Sequence, residues 1–281
     1  MHTIPRNAFL LLLPAVFGAF SVSSESPSVE NGKNLYVKYC STCHGTDGKG
    51  DGPAAVYLFP KPRDFTAGVY KFQSTPVGSL PTDEDLHRTL KNGMPGSAMP
   101  AWDRLSDQQR SDLIAYIKTF SPRFASEKPT DVVKIENEPQ ATPELIRTGK
   151  AVYALAGCWN CHGKTGAGDG PSAPNLTDDR GLPIRPYNFT RARTFKGGGT
   201  PRDIYRTFST GIGGTPMPGY GEEALTIGRE SAADLTALEG QYTAEEIEEV
   251  RRLVQQWPSE QELAQMTLEQ RTAFVNERRW A

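Results

Sequence analysis

Helical periodicity comes in two matching sets along this chain. Ser106-x-x-Gln109 and Thr243-x-x-Glu246 read as capping boxes, in which a hydroxyl and the side chain three residues on satisfy each other's backbone donors. Behind them stand Leu113, Tyr116, Ile117 and Phe120 in one case and Val250, Leu253, Val254 and Trp257 in the other. Spacings of three and four put each set on one face, so each stretch predicts a closing helix with a buried stripe. Thr82 to Leu90 and Thr200 to Phe208 open with Thr-x-x-Asp and predict shorter middle helices. Ser26-Pro27 and Thr142-Pro143 each offer an N-cap followed by proline at the first helical position, leading through Gly32 or Gly149 to a tyrosine. No alternating β-branched run competes with these helices, and the fold class expected is all-α.

The N-terminus has another pattern. Arg6 precedes an apolar run from Ala8 to Phe20, followed by Ser21, Ser23 and Ser24, the order of a secretory leader. A spanning helix needs roughly 20 apolar residues, and this run stops short. Residues 1–23 are therefore expected to be a signal peptide and the remainder exported and periplasmic; membrane attachment would follow only from an uncleaved leader. The rest suits two domains, at 26–121 and 142–258, joined by a Pro-rich linker at 122–141. The four prolines from Pro122 to Pro143 should make that linker stiff. Residues 259–281 form a charged, helical tail with Leu263, Met266, Phe274 and Trp280 as packing points. The formal charge of −2 and pI near 6.1 argue against nucleic-acid binding, which would call for a basic stripe.

The chemistry lies in the cysteines. Cys40-Ser41-Thr42-Cys43-His44 and Cys158-Trp159-Asn160-Cys161-His162 use all four cysteines of the chain, and Cys-x-x-Cys-His is the attachment signature of c-type haem. Each thiol pair can add across the two vinyl groups of one haem, with the histidine as first axial ligand. Two covalent haem c groups are expected. A four-cysteine zinc site would want its pairs roughly 15 to 20 residues apart, and a redox dithiol would want a strand-helix-strand context. With 37% hydrophobic residues, modest for a globular chain, the haems would supply part of each core.

An internal repeat identifies the second ligands. At the offset of 118 that relates His162 to His44, Gly48-Lys49-Gly50-Asp51-Gly52-Pro53 lies over Gly166-Ala167-Gly168-Asp169-Gly170-Pro171. Thr89 to Trp102 lies over Thr207 to Tyr220 at the same offset, while Asp64-Phe65-Thr66 lies over Asn188-Phe189-Thr190 at 124. Met99 falls on Met217, whereas Met94 falls on Ile212. Met99 and Met217 are therefore the expected thioether ligands, each in a Met-Pro dipeptide that stiffens its loop, and Met94 is expected to pack. His87 falls on Tyr205 and is expected to be a packing histidine.

With these residues in place, each half resembles a class I cytochrome c domain, over roughly Ser26 to Phe120 and Thr142 to Trp257. The resemblance implies that a proline carbonyl, Pro53 and Pro171 (or Pro174) here, accepts a hydrogen bond from the ligating histidine's other nitrogen. It also makes Arg63 and Arg185 candidates for the haem propionates. Glu222 to Gly240, absent from the first repeat, is a candidate lid or docking surface. Ligation by His44/Met99 and His162/Met217 would fill both axial positions and raise the potential, implying an electron carrier without catalytic residues. Its partners would be a periplasmic oxidoreductase, a respiratory complex or a terminal oxidase. Two alternatives stay open: a haem-wire subunit of a larger oxidoreductase, and a di-haem enzyme of the peroxidase or thiosulfate dehydrogenase type.

Overall fold

The computed structural model describes residues 26–281, side chains at 192–194 excepted; the leader expected at 1–23 lies outside them. In the first half come α1 (Val29–Tyr39), α2 (Ser41–His44), α3 (Asp83–Asn92), α4 (Asp107–Lys118) and α5 (Arg123–Ser126). The second holds α6 (Pro143–Leu155), α7 (Trp159–His162), α8 (Pro201–Thr210), α9 (Glu222–Leu225), α10 (Ala244–Val254), α11 (Glu260–Gln265) and α12 (Leu268–Trp280). Among the described residues there is no strand, only isolated bridges at Thr177–Pro183 and Glu239–Tyr242. The all-α expectation holds.

The helices start where their caps say. Thr82 and Thr200 form capping boxes with Asp85 and Asp203 at the heads of α3 and α8, and Ser106 and Thr243 do so with Gln109 and Glu246 for α4 and α10. Thr142 caps α6 with Pro143 in its first turn. One start differs from expectation. The cap of α1 is Ser28 rather than Ser26, because the Ser28 hydroxyl accepts from Asn31 N while its own amide donates to Asp112 Oδ1 at 2.8 Å.

In the first half α1 crosses α4 so closely that a Cβ on Gly32 would lie 1.9 Å from the Asp112 carbonyl oxygen. The crossing buries Tyr36 and Leu113 completely, with Ile114, Ile117, Leu86 and Leu90 around them. Each such apolar side chain contributes about 1.5 to 3 kcal/mol relative to exposure.

The second half closes differently. The expected closing helix, α10, packs Val250 and Val254 against Ala151 and Ala154 of α6. A Cβ on Gly149 of α6, however, would meet the carbonyl oxygen of Ala281, at the end of α12, at 2.1 Å. The C-terminal segment is thus part of this core. Leu263 and Val275 are buried, Trp280 lies against Tyr205, Phe274 joins a cluster with Val152 and Leu225, and Met266 is half-buried. The 222–240 segment is likewise no lid. It buries Leu225, Ala232, Leu235 and Leu238 to between 2% and 4% exposure, three of them in the α6–α10 cluster, so its apolar residues fill the interior.

The 122–141 segment is pinned to both halves. Val133 N donates to Ser74 O at 2.7 Å, and the Arg202 guanidinium donates to the carbonyls of Ile135 and Glu136 at 3.1 and 2.9 Å. The halves also meet directly. Gly213 N donates to Lys71 O, Val77 N to Thr210 O and the Thr210 hydroxyl to Gln73 O, all within 3.1 Å.

Candidate functional site

Each Cys-x-x-Cys-His motif forms one helical turn. His44 N and Cys43 N both donate to Cys40 O, and His162 N and Cys161 N both donate to Cys158 O. One turn puts two thiols and an imidazole on the same side of the backbone. All four thiols are free, and the two pairs lie in different halves, which removes the shared zinc site. Burial pushes the Cys40 thiol up to about 12 and the Cys158 thiol up to about 11. A redox dithiol instead depends on a depressed thiol.

The loop that follows each motif is folded by the same bonds in both halves. Gly50 N donates to His44 O, and Gly168 N to His162 O, both at 2.8 Å. The hydroxyls of Tyr36 and Tyr153 donate to the carbonyls of Gly45 and Gly163 at 2.7 and 2.6 Å. Those glycines sit at φ +76° and +75°, in the left-handed region. A Cβ there would in addition strike the Asp51 or Asp169 carboxylate.

The imidazole acceptors are a correction. His44 Nδ1 lies 3.0 Å from Arg63 O and His162 Nδ1 lies 3.0 Å from Tyr187 O, not against Pro53, Pro171 or Pro174. The Gly-Pro loop is unavailable because it folds back over its helical turn: Gly52 N donates to Cys43 O and Ala54 N to Thr42 O. A carbonyl only accepts, so each Nδ1 carries the proton. Burial lowers both imidazole pKa values against the opposing pull of that carbonyl. The rings are neutral and present an Nε2 lone pair, the state in which imidazole binds a metal.

The residues that hold these carbonyls went unrecognised in the sequence. Phe65 stacks on His44 at 4.5 Å and 17°, and Phe189 on His162 at 4.4 Å and 18°. Phe65 N donates to Gly48 O and Phe189 N to Gly166 O, both at 2.7 Å. The flanking Asp64 and Asn188 each accept from the amide and hydroxyl of the threonine two residues on. The signal was present in the paired Asp-Phe-Thr and Asn-Phe-Thr stretches. It also shows that Arg63 corresponds to Tyr187; Arg185, two residues earlier, is exposed.

The methionine loops match as well. Met94 N donates to Met99 O, as Ile212 N does to Met217 O, at 3.0 and 3.1 Å. Ser97 and Thr215 each bridge the loop, donating to the carbonyl of residue 94 or 212 and accepting from the amide of residue 99 or 217. His87 stands apart, its Nε2 3.0 Å from the Ser111 hydroxyl between α3 and α4.

In the first half these pieces enclose one cavity of about 1230 Å³, its open mouth included. Cys40, Cys43 and His44 line it together with Met94 and Met99, between apolar walls that include Phe65, Leu86, Leu90 and Ile117. Three buried polar atoms of lining residues, Arg63 Nε, Tyr70 Oη and Trp102 Nε1, have no partner among the described residues. Thiols, a neutral imidazole, thioethers, apolar walls and unspent donors together fit a large apolar cofactor with polar substituents.

Comparison with known proteins points the same way. The cytochrome c family model matches residues 29–121 and 146–257. Cytochrome c4 of Azotobacter vinelandii is 29% identical over 147 residues, 49% of this chain and 60% of that protein; this chain thus matches less than two thirds of that relative's length. Cytochrome c55X of Stutzerimonas stutzeri is 29% identical over 113 residues, 39% of this chain and 77% of that protein. Among solved structures, a chain of the reducing HAO-like protein complex of Kuenenia stuttgartiensis is similar at a TM-score of 0.68. It is 41% identical, and the match covers 83% of this chain and 100% of that one.

Proposed function

The chain belongs to the cytochrome c family, with covalent haem c as its cofactor, and from that premise we propose that it relays electrons between redox proteins through two His/Met-ligated haems. The ligand pairs in this reading are His44 with Met99 and His162 with Met217. Bound at these sites, each haem supplies a one-electron ferric/ferrous couple. The two haem-bearing units are taken as residues 26–126 and 142–281, since Phe124 of α5 packs on the first core and α12 belongs to the second.

The observation that carries the reading is the equivalence of the two sites. Both present a neutral imidazole whose Nδ1 proton is held by a carbonyl 3.0 Å away. Both present a methionine on a loop closed by the same hydrogen bonds. The carbonyl fixes each ring and raises the basicity of Nε2. A thioether as second ligand raises the potential and leaves no open coordination position, which favours a carrier over a peroxidase-type enzyme.

An exported location, the periplasm, agrees with the Ala8 to Phe20 pattern. Among the described residues no helix is long and apolar enough to cross a membrane. The likeness to a chain of a protein complex favours a second reading, in which this chain is a haem-bearing subunit docked on a larger oxidoreductase. The carrier reading expects two haems per chain by pyridine haemochrome, reduction in two one-electron steps, and no spectral change when carbon monoxide is added to the reduced protein. Carbon monoxide binding at either haem would instead mean an open iron and an enzyme. Co-purification with a stoichiometric partner would select the subunit reading.

A further inference from the structure

Four cations line the first cavity, Lys61, Arg63, Lys71 and Lys196, and no aspartate or glutamate does. The whole chain has a formal charge of −2, so this is a local excess of one sign in a half-buried place, and such charge needs compensation. Two of the four are engaged by protein atoms. Lys61 Nζ donates to the carbonyls of Ala55 and Val56 at 2.9 and 3.1 Å. Arg63 reaches Asp179 Oδ2 at 3.4 Å and Gly213 O at 3.5 Å, both in the second half, while its Nε stays buried and unpartnered. Lys71 and Lys196 have no ion pair or side-chain hydrogen bond among the described residues.

The field around Lys71 registers the imbalance. Burial, reinforced by Arg63 and Lys196 and opposed by Asp178 and Asp179, brings its ammonium down to about 8. Lys196 belongs to the second half, between the Phe189–Thr194 turn and α8. Gly197 beside it is packed so tightly on Phe72 that a Cβ would come within 2.7 Å of the ring. The seam therefore holds a second-half cation on the wall of a first-half cavity.

We propose that Lys196 and Lys71, with Arg63, form an anion site that takes the carboxylates of the haem seated in the first cavity, so that the second half completes the first haem's site. The inference rests on the reading that haem occupies that cavity, and it adds a consequence. A cation near the iron opposes the extra positive charge of the ferric form, so the second half helps set the first haem's potential. The matched residues of the two repeats do not provide for this, because the position equivalent to Arg63 is Tyr187.

The test is a spectroelectrochemical titration of the full holoprotein, with the first haem identified as the one displaced by Met99→His. Lys196→Gln and Lys71→Gln should each lower the first haem's ratio of reduced to oxidised form at fixed potential by about tenfold, equivalent to 59 mV for one electron. The second haem should move less. Lys196→Arg should restore the value, and Lys128→Gln, the same charge change at an exposed site, should leave it in place. Equal shifts in Lys128→Gln, or an unmoved first haem in both Lys196→Gln and Lys71→Gln, would overturn the proposal. Haem content is measured on the same samples: fewer than two haems in the unaltered chain would defeat the haem reading itself, an outcome distinct from two haems with unmoved potentials.

Discussion

In the first half a single helix, α4, crosses α1 at Gly32 and touches α3 where His87 meets Ser111. In the second half two helices share those tasks. α10 packs on α6, while α12 reaches α6 at Gly149 and α8 through the Tyr205 hydroxyl on Asn276 at 2.7 Å. Around the haem motifs, by contrast, the halves make the same hydrogen bonds, with lengths that agree to within about 0.3 Å. The difference separates two kinds of constraint. Backbone that orients a ligand must satisfy fixed donor and acceptor geometry, whereas an apolar helix face needs only to be covered at native density, and more than one helix can cover it.

The largest effect that would sharpen this comparison is truncation after Pro258. Without α11 and α12 the faces of Val152, Tyr205 and Leu225 are uncovered, and the second half should lose its cooperative thermal transition, followed at its haem, while the first half keeps its own. A second half that melts unchanged would mean that α10 suffices. Next comes the pair of crossing glycines. Gly32→Ala should destabilise the first half by about 3 kcal/mol, at the upper end for overpacking, since the opposing Asp112 carbonyl lies mid-helix. Gly149→Ala should likewise destabilise the second half, since its Cβ would meet the Ala281 carbonyl oxygen at 2.1 Å; denaturant titration measures both.

A smaller contrast concerns Asp85 and Asp203, which occupy equivalent caps. Asp85 is fully buried and accepts from the Ser74 amide and hydroxyl, the Thr82 amide and Arg88. Asp203 accepts from Thr200 and Arg206, with no counterpart of Ser74 among the described residues. Burial alone would raise the Asp85 carboxyl, but its hydrogen bonds from Ser74, Arg88 and Thr82 bring it below its ordinary value. Its stabilisation is therefore complete above the ordinary carboxyl range, about pH 4, and is lost as pH falls through the depressed native value. Asp85→Asn should cost roughly 2 to 3 kcal/mol at neutral pH and flatten the acid limb of the stability curve. Asp203→Asn should cost about 1 kcal/mol, the scale of a cap. On the same scale, Tyr205→Phe should cost about 1 kcal/mol for its bond to Asn276, leaving both haem spectra unaltered.

The helices, their caps and the repeat were legible because each rests on local pattern: Thr82, Thr200, Ser106 and Thr243 cap where their spacing says. The role of α12 was not, because its stripe follows a helix, α10, that already satisfied the expected order, and only contact with Gly149 and Tyr205 reveals the sharing. The imidazole acceptors were hidden for another reason. Arg63 and Tyr187 act through their carbonyls, which every residue has, so no side-chain signature marks them. The varying offset carried more than it showed. Twenty positions separate His44 from Asp64 against 26 from His162 to Asn188, and 18 separate Asp64 from Thr82 against 12 from Asn188 to Thr200. The longer segment in each comparison contains seam residues, Asp179 and Arg180 in one half, Lys71 and Gln73 in the other.

The central claim, that two equivalent His/Met sites lie at the cores of two differently closed halves, is tested most directly by the long-wavelength absorbance band that reports sulfur bonded to ferric iron. Met99→Leu and Met217→Leu should each remove about half of that band and lower one haem's potential, and Met94→Leu should leave it whole although Met94 lines the same cavity. Loss of the band in Met94→Leu with retention in Met99→Leu would contradict the equivalence of the two loops and the ligand assignment built on it.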